Sequence, residues 1–303
     1  MLVLLAVDGS ASAELARDLV ANLQWPRSTV IHLLTAYQVP VDWTGGVGST
    51  MDWIGDVEDA TREQLADDLK AMSLPLTNHG LAVESHVVRG RPADAIIAAA
   101  AELGVDLIMT GSRGRGPLRS MLLGSVAAEV TAHARCPVLV ARGASASRLL
   151  IATDGSRNAN AIPDLLETWG TFRGNRADAV AVSIPDTPAF ELMVGLYTLG
   201  DERLAQKRRE LRAQYEADAD AMAKRLTEIG IQATATVRAG DPSHEILSAA
   251  VHHGSDLIVT GSRGLGGLEQ LLLGSVARNV LMHARCSVLI VRDGSSTNAE
   301  QES

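Results

Sequence analysis

Residues 106–126 read DLIMT-GSRGRGPLRSMLLGSV. The first five are a short apolar run, the pattern of a strand buried on both faces of a parallel sheet. The glycines that follow, Gly111, Gly114 and Gly124, lead through Ser125 into a helical stretch. Glycine tolerates positive φ and lets a ligand approach bare backbone. Backbone N–H groups gathered at a helix start favour an anion, most often a phosphate. Residues 256–276 repeat the whole arrangement as DLIVT-GSRGLGGLEQLLLGSV. One glycine loop would be weak evidence; two with identical spacing, G-x2-G-x9-G-S, are not.

Working outward, the repeat covers far more than the loop. From Leu81 and Ile231 onward the two halves align without a gap, and about half of the paired positions are identical. This is an internal duplication. The expected division is 1–143 and 148–293, joined by a small polar linker, 144–147, and followed by a polar tail, 294–303. At 303 residues the chain is long enough for two domains of ordinary size. Aromatic residues make up only 3%, so both cores must be built from Leu, Val, Ile and Ala.

Each half alternates strands with helices. In the first, strands are expected at 2–7, 30–37, 82–88, 106–110 and 138–141, and helices at 11–23, 57–77, 92–103 and 125–134. Residues 38–54 read as a surface loop, with a lid over the site as the alternative. In the second half, strands are expected at 149–153, 179–184, 232–238 and 288–291, with a long charged helix at 201–229. Pro92 and the Asp241-Pro242 pair mark helix starts. Such alternation gives right-handed crossovers and a parallel α/β sheet covered on both faces. In the doubly wound strand order 3-2-1-4-5, strands one and four are neighbours, with the binding crevice at their carboxyl ends. Asp8, in Asp8-Gly9-Ser10, ends strand one and Gly111 follows strand four; Asp154 and Gly261 repeat the pairing. An acidic group is thereby set beside each anion-binding loop.

This is neither the dinucleotide fingerprint, whose glycine loop follows the first strand, nor a P-loop, which closes on a Lys-Ser or Lys-Thr pair. The DGS ending of strand one together with G-x2-G-x9-G-S closely resembles the universal stress protein family in its tandem two-domain form. The resemblance runs from Leu2 to about Arg292. It implies two adenine nucleotide alpha hydrolase-like domains, and its glycine spacing is that of the members that bind ATP. Carried over to this chain, Asp8 and Asp154 would lie against the adenosine, a carboxylate being a good acceptor for ribose hydroxyls. The phosphates would be surrounded by Gly111, Gly114, Gly124 and Ser125, and by Gly261, Gly264, Gly274 and Ser275. Main-chain groups near Ala36 and Ser183 would hold adenine, in a stretch that departs from the family's common histidine-valine pattern. Ala6, Thr110, Ser112, Arg113, Gly116 and Val126 complete the first set. Ala152, Thr260, Ser262, Arg263, Gly266 and Val276 complete the second. The cofactor expected is therefore ATP, two per chain, with Mg2+ left open.

Other features are weighed against plainer readings. Arg115, Pro117 and Arg119 in the first loop face Leu265, Gly267 and Glu269 in the second, so the first site should be the more electropositive. The HARC stretches pair His133 with Cys136 and His283 with Cys286. Two ligands fall short of the three or four zinc wants, so packed, reduced thiols are expected and no side-chain metal site is assigned. A formal charge of −9 argues against a nucleic-acid partner. No apolar run reaches the length of a signal peptide or membrane span, which makes the cytoplasm the expected compartment. The reading is a nucleotide-dependent sensor acting on a regulatory protein partner not named by the sequence. A slow ATPase ranks second, since no base or catalytic lysine accompanies the loop, and a nucleotide-free scaffold third. The last strands, 138–141 and 288–291, are short and apolar. As sheet edges they should pair the halves as an intramolecular pseudo-dimer, with further homodimerisation open.

Overall fold

A computed structural model describes residues 1–38, 51–114, 123–183, 201–264 and 273–292. The chain divides into two compact units, Met1–Ala144 and Ser145–Ser303.

The first unit holds five parallel strands, β1 (Leu2–Ala6), β2 (Val30–Tyr37), β3 (Ala82–Arg89), β4 (Leu107–Gly111) and β5 (Val138–Ala141). Their order is β3-β2-β1-β4-β5, as the alternation predicts. The apolar runs take the centre: β4 and β5 are buried at every residue, and β1 at all but its first. Fully burying one leucine of this kind is worth about 1.5–3 kcal/mol, and Leu4 and Leu5 are both wholly inaccessible. Helices α1 (Ala11–Asn22), α2 (Met51–Asn78), α3 (Pro92–Leu103) and α4 (Ser125–His133) form the outer layers. Helices α1 and α2 pack together, as do α3 and α4. Pro92 opens α3, and Gly104 closes it in the left-handed region at φ 60°.

The second unit repeats this plan with β6 (Arg148–Thr153), β7 (Arg176–Ser183), β8 (Gln232–Ala239), β9 (Leu257–Gly261) and β10 (Ser287–Val291). Their order, β10-β9-β6-β7-β8, is the same sequence of positions. The helices are α5 (Arg157–Asn160), α6 (Ile162–Trp169), α7 (Asp201–Glu228), α8 (Pro242–His252) and α9 (Ser275–His283). One device recurs in both units. The carboxylate of Asp106 accepts from the backbone N–H of Leu2 at 2.7 Å, and Asp256 accepts from that of Arg148 at 2.9 Å. Each ties the start of the first strand to the residue preceding the fourth.

The structure corrects several sequence boundaries. Helix α2 begins at Met51, inside the stretch expected to be a loop. The rest of that stretch, 39–50, lies outside the described residues, as does the expected polar tail. In the second unit α5 and α6 were not foreseen, since no element was assigned between the strands expected at 149–153 and 179–184. Pro163 sits in the first turn of α6, where its missing N–H costs nothing.

Candidate functional site: the glycine loops and the strand-one aspartates

Register brings the expected residues to one edge of each sheet. Ala6 of β1 pairs with Thr110 of β4, and Ala152 of β6 with Thr260 of β9. Gly111 and Gly261 end β4 and β9, so Asp8 and Asp154 stand over the junction. Ala36 lies two residues beyond Leu34, the partner of Ala6, and therefore on the same carboxyl edge. Ser183, at the end of β7, lies three residues beyond Val180, the partner of Ala152, one place further along than Ala36 in the first unit.

Each aspartate is built into the start of the first crossover. Asp8 Oδ1 accepts from the backbone N–H of Ser10 at 3.0 Å, with Gly9 between them at φ 72°. Asp154 does the same for Ser156 at 3.0 Å, with Gly155 at φ 73°. These two glycines take the left-handed conformation that a side chain disfavours. Each serine then has two jobs. Ser10 Oγ caps α1 by accepting from Ala13 N–H at 3.2 Å and donates to the carbonyl of Arg113 at 3.2 Å. Ser156 Oγ caps α5 and donates to the carbonyl of Arg263 at 3.3 Å. A helix cap and a clamp on the glycine loop are thus one hydroxyl. Sequence reading named DGS as a motif and missed the role of its serine.

The loop glycines are needed for a reason other than the one expected. Gly124 has φ −78° and Gly274 φ −66°, ordinary values. None of Gly111, Gly114, Gly261 and Gly264 is in the left-handed region. What they supply is closeness. A Cβ on Gly114 would stand 2.6 Å from Asp8 Oδ2, and one on Gly264 would collide with the matching oxygen of Asp154. A Cβ on Gly111 would come within 2.6 Å of the backbone of Ser12. Gly124 N–H donates to the carbonyl of Ser112 at 2.7 Å, and Gly274 N–H to that of Ser262 at 2.8 Å. The loop is thereby folded back so that its two ends meet.

The far end of each loop opens a helix. Gly124 and Gly274 are the N-cap residues of α4 and α9, and no side chain caps either helix. The first-turn N–H groups, from Ser125 and Val126 and from Ser275 and Val276, carry the partial positive charge of the helix end. Ser125 and Ser275 are exposed. Beneath the loops, Ser112 and Ser262 are buried, and Ser262 Oγ has no hydrogen-bond partner among the described residues. Arg113 and Arg263 continue the chain beside them. Gly116, Gly266, Arg115, Arg119, Leu265 and Glu269 lie outside the described residues.

The second unit adds groups the sequence did not announce. Asp218, on α7, brings Oδ2 to 2.7 Å from where a Cβ on Gly155 would stand. Tyr215, one turn earlier, has its hydroxyl held above the ordinary tyrosine range, by burial first and then by the charges of Asp154 and Asp218. The available signal was a repeated helical pair. Gln64 donates to Asp68 and Gln214 to Asp218, each at 3.0 Å and at corresponding positions of the two long helices.

The HARC histidines do not assemble a ligand set. Nδ1–H of His133 donates to the carbonyl of Glu129, and that of His283 to Asn279, both at 2.9 Å. Cys136 and Cys286 are thiols, half-buried rather than fully buried as expected.

The model of the Universal stress protein family matches residues 1–142 and again residues 146–292. The chain belongs to that family. A universal stress protein of Mycobacterium tuberculosis is 28% identical over 310 residues, covering 96% of each chain. One from Thermus aquaticus is 36% identical over 148 residues, 46% of this chain and 97% of its own. A universal stress protein of Bacillus subtilis is 46% identical over 69 residues, and the match spans 47% of that protein's length. Among solved structures, the universal stress protein from Archaeoglobus fulgidus superimposes with a TM-score of 0.66 at 20% identity, covering 97% of both chains. A universal stress protein from Pseudomonas aeruginosa does so with a TM-score of 0.58 at 17% identity, covering 97% of this chain and 94% of that one. Those two likenesses concern the tandem fold. Among the described residues of this universal stress protein, no helix is long and apolar enough to cross a membrane.

Proposed function

We propose that each half of the chain binds one ATP and that the protein works as a nucleotide-dependent sensor. The observation that carries this reading is the contact between glycine and aspartate. Gly114 and Gly264 leave no room for a side chain beside Asp8 and Asp154. A ribose acceptor and the start of the glycine loop are thereby held together by backbone. The uncapped first turns of α4 and α9 supply donors on the other side. Asp8 and Asp154 accept the ribose hydroxyls, the loops wrap the phosphates, and main chain at Ala36 and Ser183 faces adenine. Mg2+ would be carried in with the phosphates.

Retention rather than turnover is the expected mode. Fast phosphoryl transfer needs a positioned base and strong charge stabilisation, and neither a catalytic lysine nor an obvious base accompanies the described loop residues. Occupancy would order the loops and change what the surface offers to a protein partner. The test is direct: denature the purified chain, identify the small molecule released, and titrate stripped protein with ATP. Two adenine nucleotides per chain support the reading, and stripped protein that takes up none removes it.

A further inference from the structure

Away from the glycine loops, three side chains of the first unit converge on the outer pair of strands. His32 of β2 is in register with Glu84 of β3, and His86 follows two residues along β3. Strand side chains alternate, so Glu84 and His86 share a face. His32 Nδ1 lies 3.1 Å from His86 Nε2 and 3.5 Å from Glu84 Oε2. One ligand atom from each residue falls within 4.8 Å of the other two. A tetrahedral zinc ion, with bonds of about 2.0–2.2 Å, keeps its donor atoms about 3.3–3.6 Å apart. The His32–Glu84 separation falls in that range, and the His32–His86 separation is about 0.2 Å short of it.

A hydrogen bond between the histidines explains only part of this. Nδ1 of His32 offers either one proton or one lone pair. With the proton, it has two acceptors competing for it; with the lone pair, it faces a carboxylate that repels it. A dication satisfies all three donor atoms at once. We propose that His32, Glu84 and His86 form a site for a divalent transition metal, best suited to zinc, with the fourth position open to water or a further ligand. Two imidazoles and one carboxylate favour zinc over magnesium, which prefers all-oxygen surroundings. The site is therefore chemically separate from any ion that accompanies ATP. His32 is buried, and burial holds its pKa below the ordinary histidine value, which keeps it in the neutral form that ligates. The Glu84 side chain is 62% exposed, so it can swing to admit the ion and then close on it.

The second unit cannot do the same. The matching strand positions hold Asp178, Thr234 and Thr236. There Thr234 donates to Asp178 at 2.7 Å, and His253 stands 3.2 Å from the same carboxylate. The expected stoichiometry is one metal per chain.

The experiment is titration of the metal-stripped full-length chain with Zn2+ against a chromophoric chelator, without nucleotide. One tight equivalent is expected, and Co2+ in its place should show the visible absorption of a tetrahedral site. His86→Gln and Glu84→Gln should each weaken Zn2+ by more than about 100-fold, with the fold checked by circular dichroism. A Cys136→Ser/Cys286→Ser double variant should bind as wild type. No stoichiometric Zn2+ uptake overturns the site, as does full affinity in His86→Gln or loss in the double cysteine variant. Should His86→Gln fail to fold, the exposed Glu84→Gln decides alone, and unchanged affinity there overturns the proposal.

Discussion

Placed side by side, the two halves keep the backbone frame of the loop and change several of the side chains around it. In both, a loop glycine abuts the aspartate that follows the first strand, and a serine hydroxyl two residues on donates to the carbonyl of the residue just before that glycine. Around that frame the halves diverge. Asp8 is exposed, whereas Asp154 is half-buried beside Tyr215, where the first half has Leu65. Gly111 is pressed against the backbone of Ser12, whereas the nearest atom to a Cβ on Gly261 is the Asn158 Cβ, at 2.9 Å. The lesson is that backbone geometry at the loop was retained after duplication while the side chains lining it were free to drift.

The strongest way to break this comparison is to fill the shared contact. Gly114→Ala and Gly264→Ala should each push the neighbouring carboxylate aside and weaken ATP at its own site only. The loss of one or two charge-assisted hydrogen bonds costs roughly 2–4 kcal/mol, or about 30- to 1000-fold in affinity. Because the clash is with a side chain that can move, thermal unfolding should change little. Calorimetry showing wild-type affinity in the double variant would remove the phosphate-loop assignment.

A second substitution should separate the halves by stability. In Gly111→Ala the new methyl meets Ser12 backbone at 2.6 Å, so α1 must shift, at about 2–3 kcal/mol. In Gly261→Ala the nearest atom is the Asn158 Cβ at 2.9 Å, with backbone of Ala159 and Asn158 at 3.1 and 3.2 Å, so a smaller shift is needed and a cost of about 1–2 kcal/mol is expected. Denaturant unfolding of the two variants compares them, and equal losses would mean the halves pack their loops alike.

Much of this frame is legible in the amino-acid order alone. The covered parallel sheet follows from alternating apolar runs, and the neighbourhood of Asp8 and Gly111 follows once the doubly wound order 3-2-1-4-5 is taken for it. The glycine spacing marks the loop but not its cause. Tight approach and positive φ both demand glycine, and only coordinates separate Gly114 from Gly9. The His32, Glu84 and His86 cluster stays hidden because β2 and β3 are joined through a long helix, so their register is not encoded by spacing. Helices α5 and α6 escape notice because short segments bounded by proline and glycine carry too few turns to show a period.

The two proposed nucleotide sites offer a third contrast. Arg119 in the first loop is Glu269 in the second, and such a reversal near an exposed polyanion is worth about 1 kcal/mol or less, shrinking with salt. The first site should bind ATP up to roughly tenfold more tightly at low ionic strength. Titration with Gly124 disabled would expose the second site alone, and tighter binding there would reverse the expected asymmetry.

The smallest effect is one of pH. In the second half a hydrogen bond from Arg238, 2.7 Å away, holds the Glu245 carboxyl below the usual carboxylate range despite opposing burial. The first half has Val88 and Ala95 at these places. A carboxyl with a lowered folded pKa stabilises above its unfolded value, near 4.5, and loses that contribution as pH falls below it. Glu245→Gln should therefore cost about 0.5 kcal/mol at neutral pH and nothing in strong acid. Unfolding midpoints measured across that range check the sign.

Asp256 gathers the start of the second unit. Its carboxylate accepts from the hydroxyls of Ser145 and Ser147 and from the N–H of Arg148, between 2.9 and 3.0 Å. During synthesis this has a consequence in time. Strand β6 leaves the ribosome early and can pair with β7 soon after, yet its other neighbour, β9, and the clamp just ahead of it are made more than a hundred residues later. Until then one apolar edge of β6 is open to other chains. A nascent chain halted before Asp256 should be the form that most needs a chaperone.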